Sequence, residues 1–179
     1  MTLVGVLSDT HGTLPLRAYE ALADCDYIIH AGDIGDRSIL AELGTLAPVA
    51  AVLGNNDFPE YGKDVSRFAR PVIDGVRFLV AHYPRDVRIS MLGNSAVAPG
   101  DPIPDICVHG HTHVPEIKFG AEVRPVKFVV CPGSVSRPRG GSVPSVAKID
   151  IDNGRILQVR IETLDGKPTL SVGRGRAAE

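Results

Sequence analysis

Five short apolar runs in this 179-residue chain each stop at a polar cluster, and that punctuation limits the fold more than any other feature. "TLVGVL" leads into Ser8-Asp9-Thr10-His11-Gly12, "DYIIH" into Ala31-Gly32-Asp33, and "PVAAVL" into Gly54-Asn55-Asn56-Asp57. "VRFLVA" leads into His82-Tyr83, and "DICV" into His109-Gly110-His111. The runs have the length and β-branched content of strands. Helical patterns over about 15–23 and 38–43 separate the first three. Strand–helix–strand–helix–strand predicts a parallel sheet covered by helices, because parallel neighbours need a crossover. From about residue 64 the chain turns β-rich, with runs near 77–81, 127–131, 145–151 and 155–162. An α/β sandwich of two sheets with helices outside fits this order. One domain over 1–170 is expected, with 171–179 as a flexible tail.

Composition narrows the function. The chain is 44% hydrophobic and 22% charged, with a net charge of -2. That balance gives no bulk attraction to nucleic acid or membranes. Cys25, Cys107 and Cys131 form no CxxC pair and read as ordinary thiols of a reducing compartment. The start "MTLVGVLSDTHG" lacks the basic and apolar regions of a signal peptide, and no run reaches membrane-span length. A cytoplasmic protein is the expectation.

In open α/β folds, sites form beyond the carboxyl ends of parallel strands, where these clusters fall. All six histidines (His11, His30, His82, His109, His111, His113) follow or end an apolar run. A lone histidine there is usually structural; six beside Asp9, Asp33 and Asn55 are not readily explained that way. Residues two apart on an extended chain share a side, so Asp9 with His11 and His111 with His113 read as ligand pairs. Carboxylate with neutral imidazole suits Mn²⁺, Fe²⁺, Co²⁺, Ni²⁺ or Zn²⁺, and the lack of thiolate disfavours a structural zinc site. Seven donors (Asp9, His11, Asp33, Asn55, His82, His111 and His113) exceed one ordinary site and suit two ions sharing a carboxylate.

The series "SDTHG", "HAGDIG", "GNND", "AHY" and "HGHTH" resembles the calcineurin-like metallophosphoesterase superfamily. The short length and "CPGSVSRPR" look most like its small bacterial and archaeal phosphodiesterases. The resemblance covers about residues 3–151. It implies a four-layer α-β-β-α sandwich with two divalent ions, Mn²⁺ first among them. One ion would take Asp9, His11, Asp33 and His113; the other would take Asp33, Asn55, His82 and His111, with Asp33 as the bridge. A hydroxide between the ions would attack a phosphodiester, so Asp33, Asn55 and His82 would serve catalysis through the metals. No serine or cysteine nucleophile is then required. His109 stands between a catalytic and a backbone-bonding role, and His30 would orient Asp33 or a ligand water.

Arg137 and Arg139 could hold a substrate phosphate by bidentate bonds, or be solvated loop residues. Asn56 is a substrate-side candidate. It replaces the histidine that protonates the leaving group in larger members, and an amide cannot act as an acid. Tyr83 stands where the family usually has Gly, and Cys131 where it usually has Asn; the thiol reads as a packing residue. The expected substrate is a small phosphodiester or nucleotide. A phosphomonoesterase or nucleotide pyrophosphatase is the runner-up, and a non-enzymatic protein-binding scaffold is the alternative from outside enzymology. No stable nucleic-acid complex and no membrane partner are expected; a homo-oligomer is compatible with the sequence.

Overall fold

The structure is a computed structural model, and it describes residues 1–89, 94, 96–165 and 170–173. Sheet one contains β1 (Thr2–Leu7), β2 (Tyr27–His30), β3 (Val49–Ala51), β10 (Ser145–Asp152), β11 (Arg155–Thr163) and β12 (Ser171–Gly173). Its order is β12-β11-β10-β1-β2-β3, with β1, β2 and β3 parallel and β10 antiparallel to β1. Sheet two contains β4 (Phe68–Ala69), β6 (Val76–Ala81), β7 (Ile106–Val108), β8 (Glu116–Phe119) and β9 (Phe128–Cys131), in the order β4-β6-β7-β9-β8. The short β5 (Val72–Ile73) also pairs with β6. Here β6, β7 and β9 are parallel.

The sheets face each other across one apolar core. Val4, Val6 and Ile29 of sheet one meet Phe78, Val80, Ile106, Val108 and Val130 of sheet two. Alternation then sends Leu7 and Ile28 to the outer face of sheet one. There they pack under α1 (Leu16–Leu22) and α2 (Arg37–Leu43). Each helix buries residues four apart, Ala18 with Leu22 and Ile39 with Leu43, the spacing that puts two side chains on one face. Asp36 caps α2 by accepting the Ser38 N–H at 2.7 Å. Gly5 lets α1 sit close on β1. A Cβ there would lie 2.7 Å from Cys25 Sγ and would also strike Leu22.

The two expected helices and the two-sheet sandwich are present. The outer face of sheet two is also covered. Among the described residues Leu79, Cys107 and Val129 are covered by short 3-10 turns at Pro84–Val87 and Gly120–Val123 and by loop residues such as Val97, not by an α-helix. Residues 171–173 of the expected tail are strand. Ser171–Gly173 extends sheet one as β12, antiparallel to β11, while 174–179 lie outside the described residues. Among the described residues no helix is long and apolar enough to cross a membrane.

Candidate metal centre

The carboxyl ends of β1, β2 and β3 meet those of β6 and β7 at one edge of the sandwich, and the polar clusters fill the junction. The loop after β1 is zipped to the loop after β2. Asp9 N–H donates to the Gly32 carbonyl at 3.0 Å, His11 N–H to Asp33 at 2.9 Å and Gly12 N–H to Ile34 at 2.8 Å. Ser134 and Ser136 hydroxyls donate to the Asp9 carbonyl at 2.8 and 3.0 Å, fastening the same loop from the far side.

The ligand pairs do not arise by strand alternation, as the sequence suggested. Asp9, His11, Asp33, His111 and His113 have φ of 55°, 46°, 54°, 69° and 60°, so these donors sit in left-handed turns. They are five of the seven non-glycine residues in that region among the described residues. Such backbone is disfavoured for side chains with a Cβ and collects at functional sites.

Ligand atoms of Asp9, His11, Asp33 and His113 all lie within 4.8 Å of one another, close enough for this group to hold a metal ion. His113 Nε2 is 3.1 Å from Asp9 Oδ1 and 3.3 Å from His11 Nε2, which is 3.8 Å from Asp33 Oδ2. A second group lies on the other side of the same carboxylate. His82 Nε2 is 3.5 Å from Asp33 Oδ1 and 3.1 Å from Asn55 Oδ1, and Asn55 Oδ1 is 2.9 Å from His111 Nδ1. All seven expected donors are therefore brought together, with one oxygen of Asp33 toward each group.

Protons are scarce at this junction. Burial first, with neighbouring charges, pushes His11, His111 and His113 below the ordinary imidazole value. Their contacts with Asp9 and Asp33 are therefore not ion pairs near neutral pH. His113 donates Nδ1–H to the Arg137 carbonyl at 2.5 Å, and His82 donates Nδ1–H to Ala31 at 2.8 Å. The Nε2 of each ring then faces the cluster, and in the neutral His113 it carries the lone pair. Burial raises the Asp9 carboxyl to about 6. Its Oδ1 is fully buried without a hydrogen-bond partner among the described residues. Lone pairs converging on an orphaned carboxylate oxygen need a cation between them, and this donor set fits divalent ions.

Three expected roles change. His30 is fully buried and pushed down to about 4 by desolvation. It accepts the Gly32 N–H on Nδ1 at 3.2 Å, so Nε2–H faces Thr10 Oγ1 at 2.9 Å. It thus ties two loops rather than orienting the Asp33 carboxylate. His109 follows the inward Val108 and therefore faces outward. It bonds the Gly110 carbonyl at 2.9 Å and lines a cleft with Glu116 and Val123. A catalytic His109 does not fit that placement. Asn56 turns back on Asp33, donating its backbone N–H to Oδ1 at 2.8 Å and its amide to Oδ2 at 2.6 Å. It holds the carboxylate instead of facing substrate.

Arg137 and Arg139 are exposed beside the cluster, and neither pairs with a carboxylate among the described residues. Their loop is fixed by the Arg137 N–H on Ser134 Oγ at 2.9 Å and the Arg139 N–H on the His113 carbonyl at 3.2 Å. Cys131 is buried near Thr112, its thiol pushed up to about 11 by burial, in keeping with packing.

Asp57 is a residue the sequence reading passed over. Its Oδ2 accepts from Ile34 N–H at 3.0 Å and Gly54 N–H at 2.8 Å. Its Oδ1 accepts from Gly35 N–H and Tyr61 O–H, both at 3.0 Å. It staples the loop that carries Asp33 to the loop that carries Asn55. The available signal was the carboxylate three residues after Gly54, a spacing that suits turn bonding to a backbone N–H.

A family model of the calcineurin-like phosphoesterase superfamily domain matches residues 2–154. The chain belongs to that superfamily. This phosphoesterase is 35% identical over 164 residues to a "Probable metallophosphoesterase" from Methanothermobacter thermautotrophicus, covering 86% of this chain and 88% of the relative. Among solved structures it resembles the phosphoesterase Yfce from E. coli, with 22% identity and a TM-score of 0.69 over 97% of this chain and all of the other. It also resembles Vps29 from Entamoeba histolytica complexed with Zn²⁺, at 22% identity and a TM-score of 0.71, over 96% and 98% of the chains. These two likenesses speak for the fold of the phosphoesterase alone.

Proposed function

We propose that this phosphoesterase is a phosphodiesterase working with two divalent ions, Mn²⁺ foremost, that share Asp33. The observation that carries the reading is Asp33 itself, with Oδ2 toward His11 and Oδ1 toward His82, between two groups of nitrogen and oxygen donors. When bound, the ions would supply a water acidified to near neutral pH and would neutralise phosphate oxygens. Asp9, His11 and His113 hold one side, and Asn55, His82 and His111 the other. The carbonyls of Arg137 and Ala31 fix the His113 and His82 tautomers, and Asn56 fixes the rotation of Asp33. Arg137 and Arg139 offer bidentate donors to the substrate phosphate at the rim. Completeness of the donor set favours an enzyme over the scaffold reading that the Vps29 likeness brings.

The test is metal analysis and calorimetric titration with Mn²⁺, alongside hydrolysis of bis(p-nitrophenyl) phosphate and p-nitrophenyl phosphate. Two ions per chain, loss of activity with chelator, and faster turnover of the diester are expected. Asp33→Ala should lose both ions, and Asn55→Ala chiefly one. At most one ion per chain after reconstitution refutes the shared-carboxylate reading. Preference for the monoester would instead make this a phosphomonoesterase.

A further inference from the structure

Tyr83 follows the candidate ligand His82 at the end of β6, and two groups pack on its ring. The His111 ring lies 4.6 Å away, centroid to centroid, and the Arg85 guanidinium carbon lies over the ring at 4.4 Å. Tyr83 thus links an arginine to the donors around Asn55. Arg85 is otherwise uncommitted: its side chain is 74% exposed and makes no hydrogen bond among the described residues. The carboxylate near it, Asp86 at 3.9 Å, is already taken by the fork of Arg67 at 2.9 and 3.3 Å. A guanidinium lying over a ring is attracted through its face and keeps the N–H donors around its edge free. The ring also restricts a side chain that would otherwise lose rotamer freedom on binding a ligand.

Arg137 stands near His11 and His113, and Arg139 near His11, His111 and His113, whereas Arg85 rests on the Tyr83 ring beside His111. A simple diester carries one negative charge, which two divalent ions already exceed. A third arginine, held ready on the Tyr83 ring, matches a second anionic group. A terminal phosphate fits, since it carries close to two charges at neutral pH and suits a guanidinium fork. We infer that Arg85, held by Tyr83, forms a subsite for a second phosphate on the substrate. The preferred ester would then carry a phosphate besides the one that is cleaved. This deepens the phosphodiesterase reading and rests on it.

The experiment compares kcat and KM of the Mn²⁺-loaded protein on two esters. One is thymidine 5′-(p-nitrophenyl phosphate); the other is the same compound bearing a 3′-phosphate. One charge-assisted contact predicts that kcat/KM favours the 3′-phosphorylated ester by about tenfold to a hundredfold, chiefly through KM. Arg85→Ala should bring that ratio near one, and Tyr83→Leu should lower it with Arg85 still present. Arg155→Ala, at the opposite end of sheet one, should keep the wild-type ratio. Equal use of the two esters by the wild type overturns the subsite while leaving the phosphodiesterase reading intact. A wild-type preference that survives Arg85→Ala also overturns it. No turnover of either ester overturns the phosphodiesterase reading and the subsite with it.

Discussion

Replacing Asp57 by Asn is the sharpest probe of how the centre is held, because this side chain joins two donor loops while binding no ion itself. The carboxylate accepts four bonds, from Ile34, Gly35 and Gly54 N–H and from Tyr61 O–H. Burial alone would raise its pKa. The four donors outweigh that and hold the carboxyl below its ordinary range, so they favour the charged form. Asparagine keeps one oxygen and turns an NH₂ toward two donors. Two bonds to a charge are lost at a half-buried position that water can partly reach, which should cost about 2–4 kcal/mol. For a chain of this length that is a fall in Tm of roughly 5–15 °C. Metal affinity should drop about tenfold, as found for outer partners of metal ligands, because Asp33 and Asn55 lose their common staple. Calorimetric melting of metal-free protein and titration with Mn²⁺ measure the two effects separately. Weakened metal binding with unchanged metal-free Tm would mean that Asp57 acts on the ions directly, and the staple reasoning would fail.

Gly54→Ala should destabilise by about 1–3 kcal/mol and lose metal, since its Cβ would overlap the backbone and carboxylate of Asp33; a wild-type melting curve would refute that packing. Asn56→Ala should weaken Mn²⁺ binding in calorimetry without altering how kcat/KM falls with leaving-group pKa. A changed slope would show that Asn56 acts on the leaving group rather than on Asp33. Asp105 accepts the Arg77 N–H at 2.9 Å and pairs with Lys127 at 2.7 Å, contacts that outweigh burial and depress its pKa. A depressed carboxylate contributes stability above its unfolded value, ordinarily 3.8, and that contribution is lost as pH falls through the lower folded value. Urea denaturation from pH 6 to 3 should therefore show a shallower acid loss for Asp105→Asn, from a lower starting stability.

Much of the fold was legible because its strands are short, β-branched and closed by polar turns. The donors were legible because histidines and carboxylates at strand ends have few other reasons to gather. What failed was inference from ideal geometry. Spacing of two puts Asp9 beside His11 only on an extended chain, and both adopt left-handed backbone, which residue type does not announce. Applied to β7, the same alternation would have placed His109 correctly, opposite Val108. Asn56 was mistaken because the amide offers donors to a substrate and to Asp33 alike, and only the loop path decides between them. The outer cover of sheet two is written less plainly in the sequence, because among the described residues short turns rather than a long periodic helix bring Val87 and Val123 onto its apolar face.

The left-handed turns have a consequence for how such a chain can change over generations. Each non-glycine residue held there costs about 1–3 kcal/mol relative to relaxed backbone. In Asp9, His11, Asp33, His111 and His113 that cost falls on candidate ligands, four of which crowd their ligand atoms within 4.8 Å of one another. The apolar core between the sheets includes none of them. Substituting glycine for His11 or His113 should therefore relieve metal-free protein even as it removes a ligand. Catalysis and folding pull on these five positions in opposite directions. A lineage released from the need for activity could shed its donors and keep its sandwich.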